Sequence, residues 1–119
     1  MKPDKPSGRE RIQHILDAIL IIQNLTEGYS SDDFERDIKT YYACLYQYAV
    51  IGEAIGKIET SILQKYDYPW HKVRSFRNFV IHEYHAIDIR VVWDTTRLIL
   101  PDFRELLERI MENEFPSAS

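Results

Sequence analysis

Thiol chemistry is nearly absent from this sequence. Cys44 is its only cysteine, so no intrachain disulfide can form. Two metal patterns are missing as well, since there is no cysteine pair and no His-Glu-x-x-His. Long apolar runs are lacking. The longest aliphatic run, Ala18 to Ile22, falls far below the roughly 20 residues that span a bilayer. The opening stretch MKPDKPSGRE has no apolar core of signal-peptide length. A soluble cytoplasmic protein is therefore expected, with no membrane association, no metal and no cofactor. No segment shows strand alternation with hairpin turns, and there is no internal repeat or low-complexity tract. Net positive charge is also missing. The formal charge of −4 argues against a body covered in nucleic-acid-binding cations.

What is present suits one helical domain. The chain has 119 residues, 45% hydrophobic and 29% charged, too apolar for disorder. A domain of this length buries roughly two-thirds of the surface of its unfolded chain. The expected organisation is a disordered tail over residues 1–8, a helical domain over 9–114 and a C-terminal tail over 115–119. Ser7 stands three residues before Glu10, a capping-box signature, and Ile12, Ile15, Leu16, Ile19 and Ile22 follow at helical spacing up to Gly28. Asp32 and Glu35 suggest a second cap. Apolar residues from Phe34 to Ile62 then keep helical period for about nine turns, predicting one long second helix. Gly52 and Gly56 fall inside it and fit tight packing against another helix.

Tyr66 to Trp70 breaks the pattern, and Pro69 suits the first turn of a third helix running to about Glu83. A fourth helix starts near Asp88, with Pro101 either kinking or splitting it. The predicted architecture is an all-α, up-and-down bundle of four to five helices.

Charge is uneven along the chain. His71 to Arg90 holds Lys72, Arg74, Arg77 and Arg90 against Glu83 and Asp88, with three of the four histidines. A local basic site on an acidic body suits an enzyme that grips a few phosphates. On the third helix, Val73, Phe76, Phe79 and Val80 form the predicted buried stripe. Arg74, Arg77, Asn78 and His82 lie opposite, with Ile81 among them. Asn78 and His82 are four apart and can touch. Arg77 and His82 are five apart, about 140° around the helix, so they can only flank a groove from two sides. The apolar Ile81 between them suggests a cover, such as a second copy about a two-fold axis.

Arginine grips phosphate oxygens bidentately, and histidine exchanges protons near neutral pH. Together they suit metal-free RNA cleavage by 2′-hydroxyl attack. By spacing alone, a solvated helix face is the more ordinary reading of the same pair. Tyr41, Tyr42, Tyr46 and Tyr48 are read as packing residues and His14 as structural. His85 and Lys72 are candidates to support a phosphate.

The stretch PWHKVRSFRNFVIHEYHAID resembles the signature region of the HepT-like toxins, a branch of the HEPN superfamily. Arg77 to His82 matches Arg-x4-His, Tyr84 completes Arg-x4-His-x-Tyr, and Ile51-Gly52-Glu53-Ala54 resembles the family's IGEA segment. Pro69-Trp70 and Val92-Trp93 extend the likeness, which spans about residues 9 to 113. The resemblance implies a helical homodimer with an RNA-cleaving cleft at its interface. Arg77 and His82 would be catalytic, with Arg74, Asn78, His85 and Lys72 supporting the RNA. It also implies the toxin role in a toxin–antitoxin pair. The partner would be a minimal nucleotidyltransferase antitoxin that silences the toxin by transferring AMP to Tyr84. A non-catalytic module that binds such a nucleotidyltransferase has the same fold and stays open as the alternative.

Overall fold

The computed structural model describes residues 7–116, so of the expected tails over 1–8 and 115–119 only residues 1–6 and 117–119 lie outside the described residues; Ser7 and Gly8 open the first helix and Phe115 caps the last. Helix α1 spans Gly8–Leu25, α2 Ser31–Arg36, α3 Ile38–Ile55, α4 Thr60–Leu63 and α5 Trp70–Glu83. A 3₁₀ turn, Tyr84–Ala86, follows. Then come α6 Ile89–Asp94, a π-helical segment Thr95–Ile99 and α7 Leu100–Glu114. Among the described residues there is no strand, and no helix is long and apolar enough to cross a membrane. The all-helical bundle predicted from the periodicity is what forms.

Local chemistry sets the boundaries. The Ser7–Glu10 capping box opens α1, and its isoleucines Ile12, Ile15, Ile19 and Ile22 are completely buried. Helix α1 ends three residues before Gly28, whose positive φ of 76° turns the chain. The single long second helix does not exist. Ser30, with Asp33 three residues on, caps α2 in place of the expected Asp32–Glu35 pair. Asp37 then ends α2 and starts α3, because its carboxylate accepts from Thr40 N at 3.1 Å, Thr40 Oγ1 at 2.7 Å and the Tyr29 hydroxyl at 2.6 Å. The helical period of the apolar residues ran through this break. At the far end, α3 stops at Ile55 and a turn precedes α4.

The expected fourth helix is divided into α6 and α7 by the wider π turn, and Pro101 sits just after it in the first turn of α7. Proline has no N–H for residue 97 and crowds that carbonyl, and a wider turn relieves both demands. Arg97 joins this segment to the α1–α2 turn. It donates to the Thr26 and Tyr29 carbonyls at 3.1 and 2.7 Å, while its guanidinium lies 4.5 Å over the Trp93 ring.

Contacts define the packing. Helices α3 and α5 run antiparallel, with Tyr41 against Ile87, Tyr48 against Phe76 and Gly52 against Arg77. Helix α7 runs antiparallel to α1, since Arg104 bonds Gln23 and Phe115 bonds Arg9. The core also holds Phe34, Leu107 and Ile110, all fully buried, with Trp70 donating its indole N–H to Leu63 O at 2.9 Å. Cys44 is buried among them, and burial pushes its thiol up to about 11.

Gly52 is where α3 and α5 come closest. A Cβ there would stand 2.8 Å from Arg77 Cβ and 2.9 Å from the Val73 carbonyl oxygen. At Gly56 the nearest atoms would be 3.5–3.7 Å away, ordinary contact. Tight helix packing is therefore the role of Gly52.

Two outcomes follow from these contacts. Gly52→Ala is expected to destabilise the fold by about 1–2 kcal/mol in chemical denaturation, the overpacking exceeding the helix-propensity gain. Gly56→Ala should change stability by less than about 0.5 kcal/mol. Equal effects would refute the close approach at Gly52.

The second outcome concerns acid. Asp37 is held down at about 2, first by the Tyr29 hydroxyl and then by Thr40. A depressed carboxylate stabilises the fold above its unfolded value of about 3.9, and that contribution is lost as pH falls toward 2. Urea midpoints of the wild type should drop across this window. Those of Asp37→Asn should start lower and drop less.

Candidate functional site

Helix α5 carries most of the sequence-predicted residues, and the chain folds them onto its outer side. Trp70 and Val80 are buried on α5, while Val73 and Phe76 are half-buried. Phe79, expected in the buried stripe, is 43% exposed. It lies at the margin of the stripe, about 120° from Val73, whereas the α3 contacts fall on Val73, Phe76 and Arg77. Ile81 is 48% exposed, so two apolar side chains break the polar face.

Arg77 lies where α5 crosses α3. Its Nε is 3.2 Å from Glu53 Oε2, and its Nη1 donates to Asn78 Oδ1 at 2.9 Å. Glu53 also sits 3.7 Å from Lys57 Nζ, in the turn just past the end of α3. These groups remain partly hydrated, so the pairs aim the guanidinium more than they stabilise the fold. Sequence reasoning missed Glu53 as a partner of Arg77. The available signal was its place beside Gly52: a glycine that lets two helices touch carries its neighbour to the contact.

His82 faces elsewhere. Arg77 lines a groove with Arg11, His14, Tyr46 and Glu53, built by α1, α3 and α5. His82 lines a separate, shallow depression with Lys72, Ser75, Asn78 and Phe79. Asn78 links the two, holding Arg77 with its carbonyl while it borders the His82 depression. Within one chain the fold thus brings Arg77 and Asn78 together but opens Arg77 and His82 to different sides, as their angular separation predicts.

Tyr84 is not on α5. The helix ends at Glu83, whose φ of −132° breaks the period, and Tyr84 opens the 3₁₀ turn. Seven residues apart, Arg77 and Tyr84 would share one side of a continuous helix, but α5 stops one residue short. Helical angles alone would put Glu83 about 80° from Val73, beside the core stripe; with the helix unwinding there, it is solvent-exposed. Tyr84 is 53% exposed, its ring edge-on to His85 at 5.8 Å. His85 Nε2 lies 3.8 Å from Glu83 Oε2, a pair that carries opposite charges only when the imidazole is protonated. Arg74 is exposed, its Cδ lying across Gly56.

The tyrosines of α3 divide. Tyr41 and Tyr48 are core residues, and Tyr48 hydrogen-bonds Thr96 Oγ1 at 2.6 Å in the interior. Tyr42 and Tyr46 are 49% and 66% exposed, so packing accounts for only half of the set. His14, read as structural, is also exposed, on the wall of the Arg77 groove. A third recess, an apolar one of about 290 Å³, lies between α5 and the α6–α7 region and is edged by Lys72.

Comparison with known proteins matches this arrangement to a family. The sequence model described as ribonuclease HepT-like covers residues 15–110. A protein of Thermococcus cleftensis named "Probable ribonuclease HepT" is 29% identical over 107 residues, 89% of this chain and 97% of its own. A protein of Methanocaldococcus jannaschii named a "Putative RNase" is 30% identical over 112 residues, 92% of this chain and 93% of its own. Another "Putative RNase", from Caldanaerobacter subterraneus, is 26% identical over 107 residues, 89% of this chain and 96% of its own. No solved structure is a significant match to the chain.

Proposed function

The chain belongs to the ribonuclease HepT-like family, and from that membership we propose that it is a metal-independent endoribonuclease of the HEPN type. We further propose that it acts as the toxin of a toxin–antitoxin pair. The observation that carries the reading is the set of half-buried Arg77 with exposed Asn78 and His82 on α5, and exposed Tyr84 in the turn that follows, in a chain whose relatives are named as RNases.

The chemistry follows from the side chains. His82 takes the proton of an RNA 2′-hydroxyl. The 2′-oxygen attacks the adjacent phosphorus, and the bond to the 5′-oxygen breaks. The leaving oxygen departs with a proton returned by protonated imidazole. Arg77, aimed by Glu53 and Asn78, stabilises the charge that gathers on the phosphoryl oxygens. The products are a 2′,3′-cyclic phosphate and a 5′-hydroxyl.

Because Arg77 and His82 open to different sides of α5, this reaction calls for two copies of the chain. We propose a homodimer packed across the outer face of α5, where exposed Phe79 and Ile81 supply the apolar contact. Arg77 of one copy then faces His82 of its partner. Asn78, Arg74, Lys72 and His85 border the cleft and support the RNA.

Purified protein is expected to cut RNA in excess EDTA, leave cyclic phosphate ends and run as a dimer in light scattering. Arg77→Ala and His82→Ala should each abolish cleavage and keep helical circular dichroism. Mixed and re-equilibrated, the two inactive variants should regain cleavage, because a heterodimer holds one complete Arg77–His82 pair. A mixture that stays inactive would overturn the shared cleft. Wild-type rates in His82→Ala would overturn its proton-transfer role.

Control is proposed to act at Tyr84, whose exposed hydroxyl can be reached from solvent. A nucleotidyltransferase antitoxin would direct the phenol oxygen onto the α-phosphorus of ATP, forming tyrosyl-AMP and releasing pyrophosphate, with the phenolic proton passing to a base. The added phosphodiester brings negative charge and bulk to the cleft and excludes the RNA phosphate without a change of fold. Intact-mass analysis after incubation with the partner and ATP should show one AMP on the wild type and none on Tyr84→Phe. AMP retained on Tyr84→Phe would refute this mode of control.

A further inference from the structure

The groove beside Arg77 holds more than the cleavage chemistry uses. Three helices build it, and its volume is about 360 Å³, within the range of small-ligand sites. Arg11 and His14 come from α1, one turn apart, and Arg77 comes from α5. Between them α3 contributes a floor of short side chains, Ala49, Val50 and Ala54, and the ring of Tyr46. Tyr46 is 66% exposed, whereas Tyr41 and Tyr48 of the same helix are buried. Packing therefore does not explain Tyr46. The lining carries two guanidiniums and an imidazole against one carboxylate, Glu53, which Arg77 already engages at 3.2 Å. In a chain of net charge −4 this is a local excess of positive charge.

An exposed aromatic ring over a short apolar floor, flanked by cations, is the arrangement that binds single-stranded nucleic acid. The base stacks on the ring, and the cations take the phosphates. A protein partner would have to bring acidic side chains to this lining, whereas RNA carries an anionic phosphate at every nucleotide.

We infer that this groove is an RNA subsite next to the scissile phosphate. Tyr46 stacks the neighbouring base, Arg11 and His14 hold that nucleotide's phosphate, and Arg77 joins the subsite to the cleavage centre. The inference rests on the ribonuclease reading for its orientation, and the occupant is a single-stranded RNA segment.

The test uses the full chain and a short, fluorescently labelled 2′-O-methyl oligoribonucleotide, which cannot be cleaved because its 2′-oxygens are blocked. Binding is followed by anisotropy at several salt concentrations, with light scattering on every variant. Tyr46→Ala should weaken binding about five-fold or more, and Tyr46→Phe, which keeps the stacking face, should bind like the wild type. Arg11→Ala should weaken binding and flatten its salt dependence. On cleavable RNA, Tyr46→Ala should raise KM while kcat stays within about two-fold of the wild type.

Unchanged probe binding by Tyr46→Ala would overturn the subsite, as would a wild type that does not bind the probe. A lower oligomeric mass in Tyr46→Ala would also overturn it, showing that the groove is covered by a second copy. Binding lost in Tyr46→Ala, in a protein that cuts no RNA, would support the subsite while sinking the ribonuclease reading. The two failures are thereby distinguishable.

Discussion

The close approach of α3 and α5 at Gly52 governs the candidate site. Backbone and Cβ atoms of α5 occupy the space that any side chain at this position would need. The contact holds the two helices at one height and rotation. With that height set, the residue after Gly52, Glu53, lies beside Arg77, and the guanidinium is directed into the groove and away from the core. Antiparallel packing carries the same register outward, through Tyr48 on Phe76 to Tyr41 against Ile87. A glycine in a helix costs about 1 kcal/mol of propensity relative to alanine, and here it places a charge.

Polar groups at the ends of the bundle keep that register from slipping. Asp37 divides what would otherwise be one long helix, collecting two bonds from Thr40 and one from Tyr29. The break lets α2 fold over the core, with Phe34 completely buried against Tyr41 and Trp93. At the other end of the chain, the π turn ahead of Pro101 directs Thr96 inward to the Tyr48 hydroxyl, and Arg97 outward to the α1–α2 turn. Both irregular points satisfy polar groups that a regular helix would leave unpaired.

Function on this scaffold turns on the two-sidedness of α5. An arginine and a histidine five residues apart cannot converge on one phosphate from a single straight helix, because about 140° separates them. The fold accentuates the divergence by seating Arg77 against α3 and leaving His82 in an open depression. A two-fold axis across the outer face is the economical way to unite them, and exposed Phe79 and Ile81 are suited to lie on it. The end of α5 at Glu83 adds a second consequence. Tyr84 leaves the helix and stands in a tighter turn, where its side chain is exposed.

Much of this was legible in the amino-acid order. Helical period and the Ser7 cap determined the all-α class and the first helix, because a 3.6-residue repeat and a capping hydroxyl act within a few residues of themselves. The Arg-x4-His-x-Tyr spacing likewise marked the family and the separation of Arg77 from His82 around α5. Other features were decided only by the tertiary structure. The apolar period ran through Asp37 without a sign of the break, since Tyr29 reaches it from eight positions away. Phe79 was placed in the core because its angle lies at the edge of the stripe, and which edge is covered depends on where α3 lies. His14 and Tyr46 were unreadable as neighbours of Arg77 because they come from two other helices, and for Glu53 the one local signal was the glycine before it. Spacing along one helix determines which face a residue occupies, but only packing between helices determines what that face meets.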